Sequence, residues 1–154
     1  DILRYTKKPF VASHSDAAKE CNVCRNLTDD MIRALSERGG VMGLNYCYDF
    51  LTETDRPTAL SSDTSFFLSE TSQKVKVSRI EDMIRHVKHI VNVGGIEVCG
   101  LGSDFDGIRT HAELPGADAM PVLEDALAKA GLTARQRDKV MGENVLRVYR
   151  EVLG

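Results

Sequence analysis

Apolar positions along the chain fall into two rhythms. Three short continuous runs, over residues 9–13, 41–46 and 96–102, read as buried strands. Between them, apolar side chains recur at helical spacing. Met31, Ile32 and Leu35 form one stripe, and Ile80, Met83, Ile84, Val87, Ile90 and Val91 form a second. Two further helices are predicted over 120–129 and 134–153, the last turning Met141, Val145, Leu146, Val148, Tyr149, Val152 and Leu153 inward. Thr28, Ser78 and Thr133 suit N-caps, with Asp29 and Asp30 near the positive end of their helix, and Gly39-Gly40 and Gly94-Gly95 supply stops. Residues 52–76 are polar and predict a long loop, broken by a turn at Phe66-Phe67-Leu68. The order is strand, helix, strand, helix, strand, helix, helix, which implies a parallel α/β sheet. His14, Asn45-Tyr46 and Asp104 then fall at the carboxyl ends of the strands, the edge where such folds bind ligands.

The 154 residues fit a single domain spanning 1–154. With 42% hydrophobic and 28% charged residues, the class is globular, and a net charge of −3 argues against nucleic acid as a partner. No apolar run reaches the roughly 18 residues of a membrane helix, and neither a secretory signal nor a lipid-anchor tail is evident. The chain opens without Met on Ile2, Leu3 and Tyr5, which look like the last turn of an amphipathic helix stopped by Pro9, so a fragment is expected. Cys21, Cys24, Cys47 and Cys99 are too few and too irregular for a disulfide framework and favour a reducing, cytoplasmic setting, with Cys47 and Cys99 as buried thiols.

The candidate chemistry lies in three places. His14, in Ser13-His14-Ser15-Asp16, can bind a metal or shuttle protons. Arg25 can grip an anionic group with its forked guanidinium. Gly102-Ser103-Asp104-Phe105-Asp106-Gly107 sets two carboxylates at a strand end between glycines, where they can hold metal or ammonium or move protons. A calcium hand fails because Pro115 occupies the twelfth loop position counted from Asp104. A dinucleotide fingerprint fails because Phe105 stands where the third glycine belongs. A phosphatase of the haloacid dehalogenase type, using Asp104 as nucleophile, stays as the alternative, although Gly102-Ser103 separates the strand from the acid and Ile108 follows Gly107. Cys21-Asn22-Val23-Cys24 lacks a second cysteine pair for a metal site. His86 and His89 share a helix beside Arg85 and Lys88, off the apolar stripe, and read as a solvated face.

These segments, taken in order, resemble the membrane (renal) dipeptidase family. The likeness runs through Pro9–Ser15, Arg25–Asp30, Gly43–Tyr46, Ile80–Ile90, Gly100–Gly107 and Gly142–Val148. It implies the carboxy-terminal half of a (β/α)8 TIM barrel of the metal-dependent hydrolase type, seen here as three parallel strands with helices. It further implies a two-zinc site that cleaves dipeptides, with zinc making an attacking hydroxide available near neutral pH. By the same resemblance His14 is a zinc ligand, Arg25 binds the dipeptide carboxylate, and Asp104 contacts the substrate amino group and moves a proton. The chain departs from the family pattern in two respects. Cys24 is not the usual residue before Arg25, and the family's other ligands (a His-x-Asp pair, a bridging Glu and a second His) have no counterpart, since His86, His89 and His111 do not match their positions. Zinc is therefore expected to bind this chain weakly at most, and the chain is expected to be inactive alone. A half barrel leaves open sheet edges, so a homo-oligomer is expected as well.

Overall fold

The computed structural model describes residues 2–52, 79–108 and 113–154. The expected loop over 52–76, apart from its first residue, the turn at Phe66–Leu68, the Ser78 cap and His111 lie outside the described residues. Three strands, β1 (Val11–Ala12), β2 (Val41–Leu44) and β3 (Cys99–Leu101), form one sheet in the order β1-β2-β3. Both pairings are parallel, with Val11 opposite Val41, Met42 opposite Cys99 and Leu44 opposite Leu101. The helices are α1 (Ile2–Tyr5), α2 (Asp29–Glu37), α3 (Tyr48–Leu51), α4 (Ile80–Gly94), α5 (Met120–Lys129), α6 (Ala134–Asp138) and α7 (Asn144–Leu153). This is the expected α/β alternation.

β2 is buried at all four positions because it is the central strand, so a continuous apolar run suits it. β1 is a correction to the reading of a buried strand. It is only two residues long and half-buried, because it lies at the sheet edge. The third run is also shorter than its sequence suggests: Ile96–Val98 forms a 3-10 turn before β3 begins. α3 was not anticipated. It is a single turn that drives Leu51 into the core.

α2 is capped as expected, with the Thr28 side chain accepting from the Met31 N–H, and Gly39 at φ 72 follows its end. Ile32 and Leu35 are buried, whereas Met31 is exposed. α4 follows Arg79, whose N–H donates to Asp82 at 2.8 Å, and stops at Gly95, φ 83. Its Met83, Val87 and Ile90 pack with Ile32, Met42 and Leu44 in the core. No described helix is long and apolar enough to cross a membrane.

His86 corrects a second reading. It is fully buried and not on a solvated face. Nδ1 accepts from the Ala17 N–H at 3.1 Å and Nε2 faces the Leu51 carbonyl at 3.1 Å, a pattern that fixes the neutral imidazole with its proton on Nε2. Burial lowers its pKa, consistent with that form. His89 is mostly buried too and meets Asp29 at 2.7 Å and Glu20 at 3.6 Å; its hydrogen bond holds the Asp29 carboxyl below its ordinary value. Both ring nitrogens of each histidine are turned to protein groups. Both fasten the segment after His14 to α4.

The expected helix over 134–153 is interrupted. A wide π-type turn, Lys139–Glu143, separates α6 from α7, and Gly142 leaves helical geometry there. The break aims Asn144 at the sheet. Its Nδ2 donates to the Ile96 and Cys99 carbonyls at 2.7 and 2.8 Å. Arg147, one turn on, donates to the Gly39 and Glu97 carbonyls at 2.6 and 3.0 Å. The Gly142–Val148 segment thus closes the amino-terminal ends of β2 and β3. Asn144→Ala strands two carbonyls at once, and a loss of about 1–3 kcal/mol in urea denaturation is expected. An unchanged midpoint would remove Asn144 from this role.

Candidate functional site

The carboxyl ends of the three strands converge because two positions carry no side chain. A Cβ on Gly102 would lie 1.9 Å from the Ser13 carbonyl oxygen, and one on Gly43 would lie 2.4 Å from the same oxygen. With both glycines in place, the chain leaving β1 lies directly against the ends of β2 and β3. The Ser15 N–H donates to the Gly43 carbonyl at 2.9 Å, and the Gly102 N–H to the Leu44 carbonyl at 2.9 Å.

This packing brings His14 and Asp104 together, although 90 positions separate them in sequence. His14 Nε2 is 4.0 Å from Asp104 Oδ1, and both side chains are partly exposed. His14 Nδ1 lies 2.8 Å from Ser13 Oγ, which leaves Nε2 as the nitrogen facing the site. Asp104 has φ 63, the left-handed region that aspartate tolerates better than most residues. Its carbonyl accepts from the Gly107 N–H at 2.9 Å, and its carboxylate leans over Gly107, where a Cβ would sit 2.3 Å from Oδ1. Asp106 is exposed.

Asn45, fully buried after β2, donates through Nδ2 to Asp104 Oδ2 at 3.0 Å. Its backbone N–H donates to Asp16 Oδ1 at 2.9 Å. Asp16 is fully buried, and its Oδ2 has no hydrogen-bond partner among the described residues. Burial pushes its carboxyl up to about 8, against the lowering effects of the Asn45 N–H and the Arg25 charge. Sequence reasoning missed Asp16; its place two residues after His14 at a strand end was the only signal.

Arg25 is exposed, with its guanidinium 5.2 Å from the centre of the Phe50 ring. Beside it Asn26 is buried, donating to the Cys21 and Phe50 carbonyls at 2.8 Å each. Arg25 therefore stands on the loop next to α3, and its charge is felt at Asp16. The structure brings His14 to Asp104 directly; among the described residues Arg25 is related to them through its charge at Asp16, whose Oδ1 accepts from the Asn45 N–H.

The cysteines form no disulfide. Burial holds Cys99 up at about 12 and raises Cys47, whose neighbours Asp49, Asp104 and Asp16 add to the shift, so neither offers a thiolate nucleophile. Among the described residues no three His, Cys, Asp or Glu side chains converge to hold a metal ion. The donor set thus fits a metal only in part: His14 contributes one imidazole nitrogen, whereas a hydrolytic zinc ion takes about three protein ligands.

A sequence model described as membrane dipeptidase (peptidase family M19) matches residues 1–153. A Klebsiella pneumoniae protein from the pqqA 5′ region is 34% identical over 99% of this chain and 50% of its own length. An uncharacterized dipeptidase of Schizosaccharomyces pombe is 33% identical over 98% of this chain and 32% of its own. Among solved structures, a metallopeptidase from Rhodobacter sphaeroides, liganded with a phosphinate mimic of the dipeptide L-Ala-D-Ala, superposes with a TM-score of 0.80 at 27% identity, over 97% of this chain and 38% of that one. The chain thus spans half or less of the length of these relatives. These matches do not favour the phosphatase alternative for Asp104.

Two outcomes are expected. Gly102→Ala must displace Ser13 and with it His14, and a stability loss of about 2 kcal/mol or more is expected in chemical denaturation, because a backbone oxygen cannot rotate aside. A neutral result would mean that the strand ends can separate freely. For Asp16, a raised folded pKa means that its contribution is complete below the unfolded value near 3.8 and is lost as pH rises toward about 8. Wild type should therefore lose stability relative to Asp16→Asn across that window, by up to about 1.4 kcal/mol per pH unit. Parallel stability curves for the two proteins would show that Asp16 ionises normally.

Proposed function

The chain belongs to the membrane dipeptidase family, peptidase family M19, and from that membership we propose that it forms one rim of a zinc-dependent dipeptidase site. The observation that carries the proposal is the approach of His14 Nε2 to Asp104 Oδ1, 4.0 Å apart at the carboxyl ends of the sheet. His14 presents one nitrogen to a metal. Zinc, when bound, supplies a Lewis acid that polarises the scissile carbonyl and lowers the pKa of water.

The chain's own residues divide the remaining work. Asp104 offers an oxygen that holds the ammonium group of a dipeptide and exchanges a proton at the reacting centre. Arg25, exposed and set over the Phe50 ring, takes the terminal carboxylate in a forked pair. A substrate with a cation at one end and an anion at the other, as a dipeptide has, matches that division, and the Rhodobacter sphaeroides relative is liganded with a phosphinate mimic of the dipeptide L-Ala-D-Ala. Two zinc ions and a single domain over 1–154 belong to the same proposal. The remaining zinc ligands come from protein beyond the donors described here, so this chain alone is inactive.

Self-association is part of the proposal as well. β1 and β3 each pair on one flank only among the described residues, and Ile2, Tyr5, Leu146, Tyr149 and Leu153 are exposed. The test assays L-Ala-D-Ala hydrolysis with added zinc. It compares the chain alone with the chain joined to the part of the Klebsiella pneumoniae relative that it does not match. Hydrolysis is expected only in the joined form, with Asp104→Asn lowering kcat at least about a hundredfold and Arg25→Ala acting mainly on KM. Activity that survives both substitutions would sink the assignment. On a sizing column the chain alone should elute as a dimer or larger, and a clean monomer at micromolar concentration would count against assembly.

A further inference from the structure

Asn45 takes no part in the chemistry described above, yet it is fully buried and every polar atom of its amide is used. We propose that Asn45 is the positioning residue for Asp104, holding its carboxylate in one orientation by hydrogen bonding. The proposal rests on the reading of Asp104 as the substrate-contacting acid.

The orientation of the amide is set by its partners. The Cys47 N–H donates to Asn45 Oδ1 at 2.7 Å, and a backbone N–H can only donate, so that atom must be the oxygen. Nδ2 is thereby turned toward Asp104 Oδ2, 3.0 Å away. The backbone of Asn45 is fixed in turn, because its N–H donates to the buried Asp16 at 2.9 Å. Asp104 therefore has one oxygen, Oδ2, occupied by a rigid donor. The other, Oδ1, is left facing His14 and the open side of the site. Without the amide, the carboxylate could swing about its side-chain bonds and present either oxygen in many directions. An acid held in one geometry is worth most in the transition state, so the amide should act on turnover more than on substrate binding.

Two variants and one spectrum test this. Asn45→Ala removes the amide. Asn45→Asp keeps its shape and its acceptor for Cys47 but cannot donate to an ionised Asp104. In the hydrolytically active form, with L-Ala-D-Ala and zinc, each is expected to lower kcat at least about tenfold with KM changed less than about threefold. Wild-type kcat in either variant, or a change confined to KM, would overturn the proposal. A nitrogen-15 spectrum of the chain itself gives a second readout that needs no turnover. The Asn45 side-chain amide protons should be protected from exchange and shifted downfield, and Asp104→Ala should abolish both effects. Amide signals that ignore Asp104→Ala would overturn the contact even if hydrolysis proceeds. If no form hydrolyses the dipeptide, the dipeptidase reading falls, and the spectrum alone decides whether Asn45 holds Asp104.

Discussion

One close contact governs this site: the carbonyl oxygen of Ser13 lying over the backbone of Gly43 and Gly102. Two neighbouring strands end at positions where a methyl group would collide with that oxygen. The absence of side chains lets the segment after β1 lie flat across the tips of β2 and β3. A long sequence separation then becomes a 4.0 Å approach between His14 and Asp104. Nothing on the partly exposed side chains themselves forces them together. Their attraction across water would be weak, so the backbone must set the distance. The site is in this sense a property of the sheet, to which the functional groups are attached.

Much of this arrangement can be seen in the sequence, and the parts that can are those with local causes. Thr28 and Thr133 cap helices through their own side chains, Gly39 and Gly95 carry the backbone angles that end helices, and four apolar residues in a row mark the central strand. His14 and Asp104 were visible as polar groups where apolar runs stop. What escaped was tertiary. His86 looked like one of several polar residues on a helix, and only the Ala17 N–H and Leu51 carbonyl, brought from distant segments, show why an imidazole belongs there. Asp16 does not stand out in the sequence because a charged residue in a loop ordinarily meets water. β1 looked buried because its composition is apolar, but an edge strand lacks the second neighbour that would cover it.

Arg25 shows the boundary between these cases. Its residue type suggested a carboxylate fork, and the structure gives it a platform, the Phe50 ring, supplied by a helical turn that the sequence did not reveal. Asn26 ties the two together by donating to carbonyls on both sides, at Cys21 and Phe50. The loop holding the arginine is thus anchored by a buried amide of its own. Recognition of an anion by a long, exposed side chain costs rotamer freedom, and stacking against an aromatic face removes part of that freedom in advance.

The sheet also separates its polar investments by end. At the amino-terminal side Asn144 and Arg147 satisfy four backbone carbonyls, at Ile96, Cys99, Gly39 and Glu97, and so tie the closing helix to the starts of β2 and β3. At the carboxyl side the network is left incomplete. Asp16 keeps one buried oxygen without a partner, Asp104 sits in a left-handed conformation, and His14 holds a nitrogen toward the open site. A buried polar atom without a partner costs about 1–3 kcal/mol, and a left-handed backbone adds a cost of its own that aspartate bears better than most residues. Under the proposed reading the two ends differ in use: the amino-terminal end secures the strands, and the carboxyl end keeps His14 Nε2 and Asp104 Oδ1, both on partly exposed side chains, turned toward a ligand.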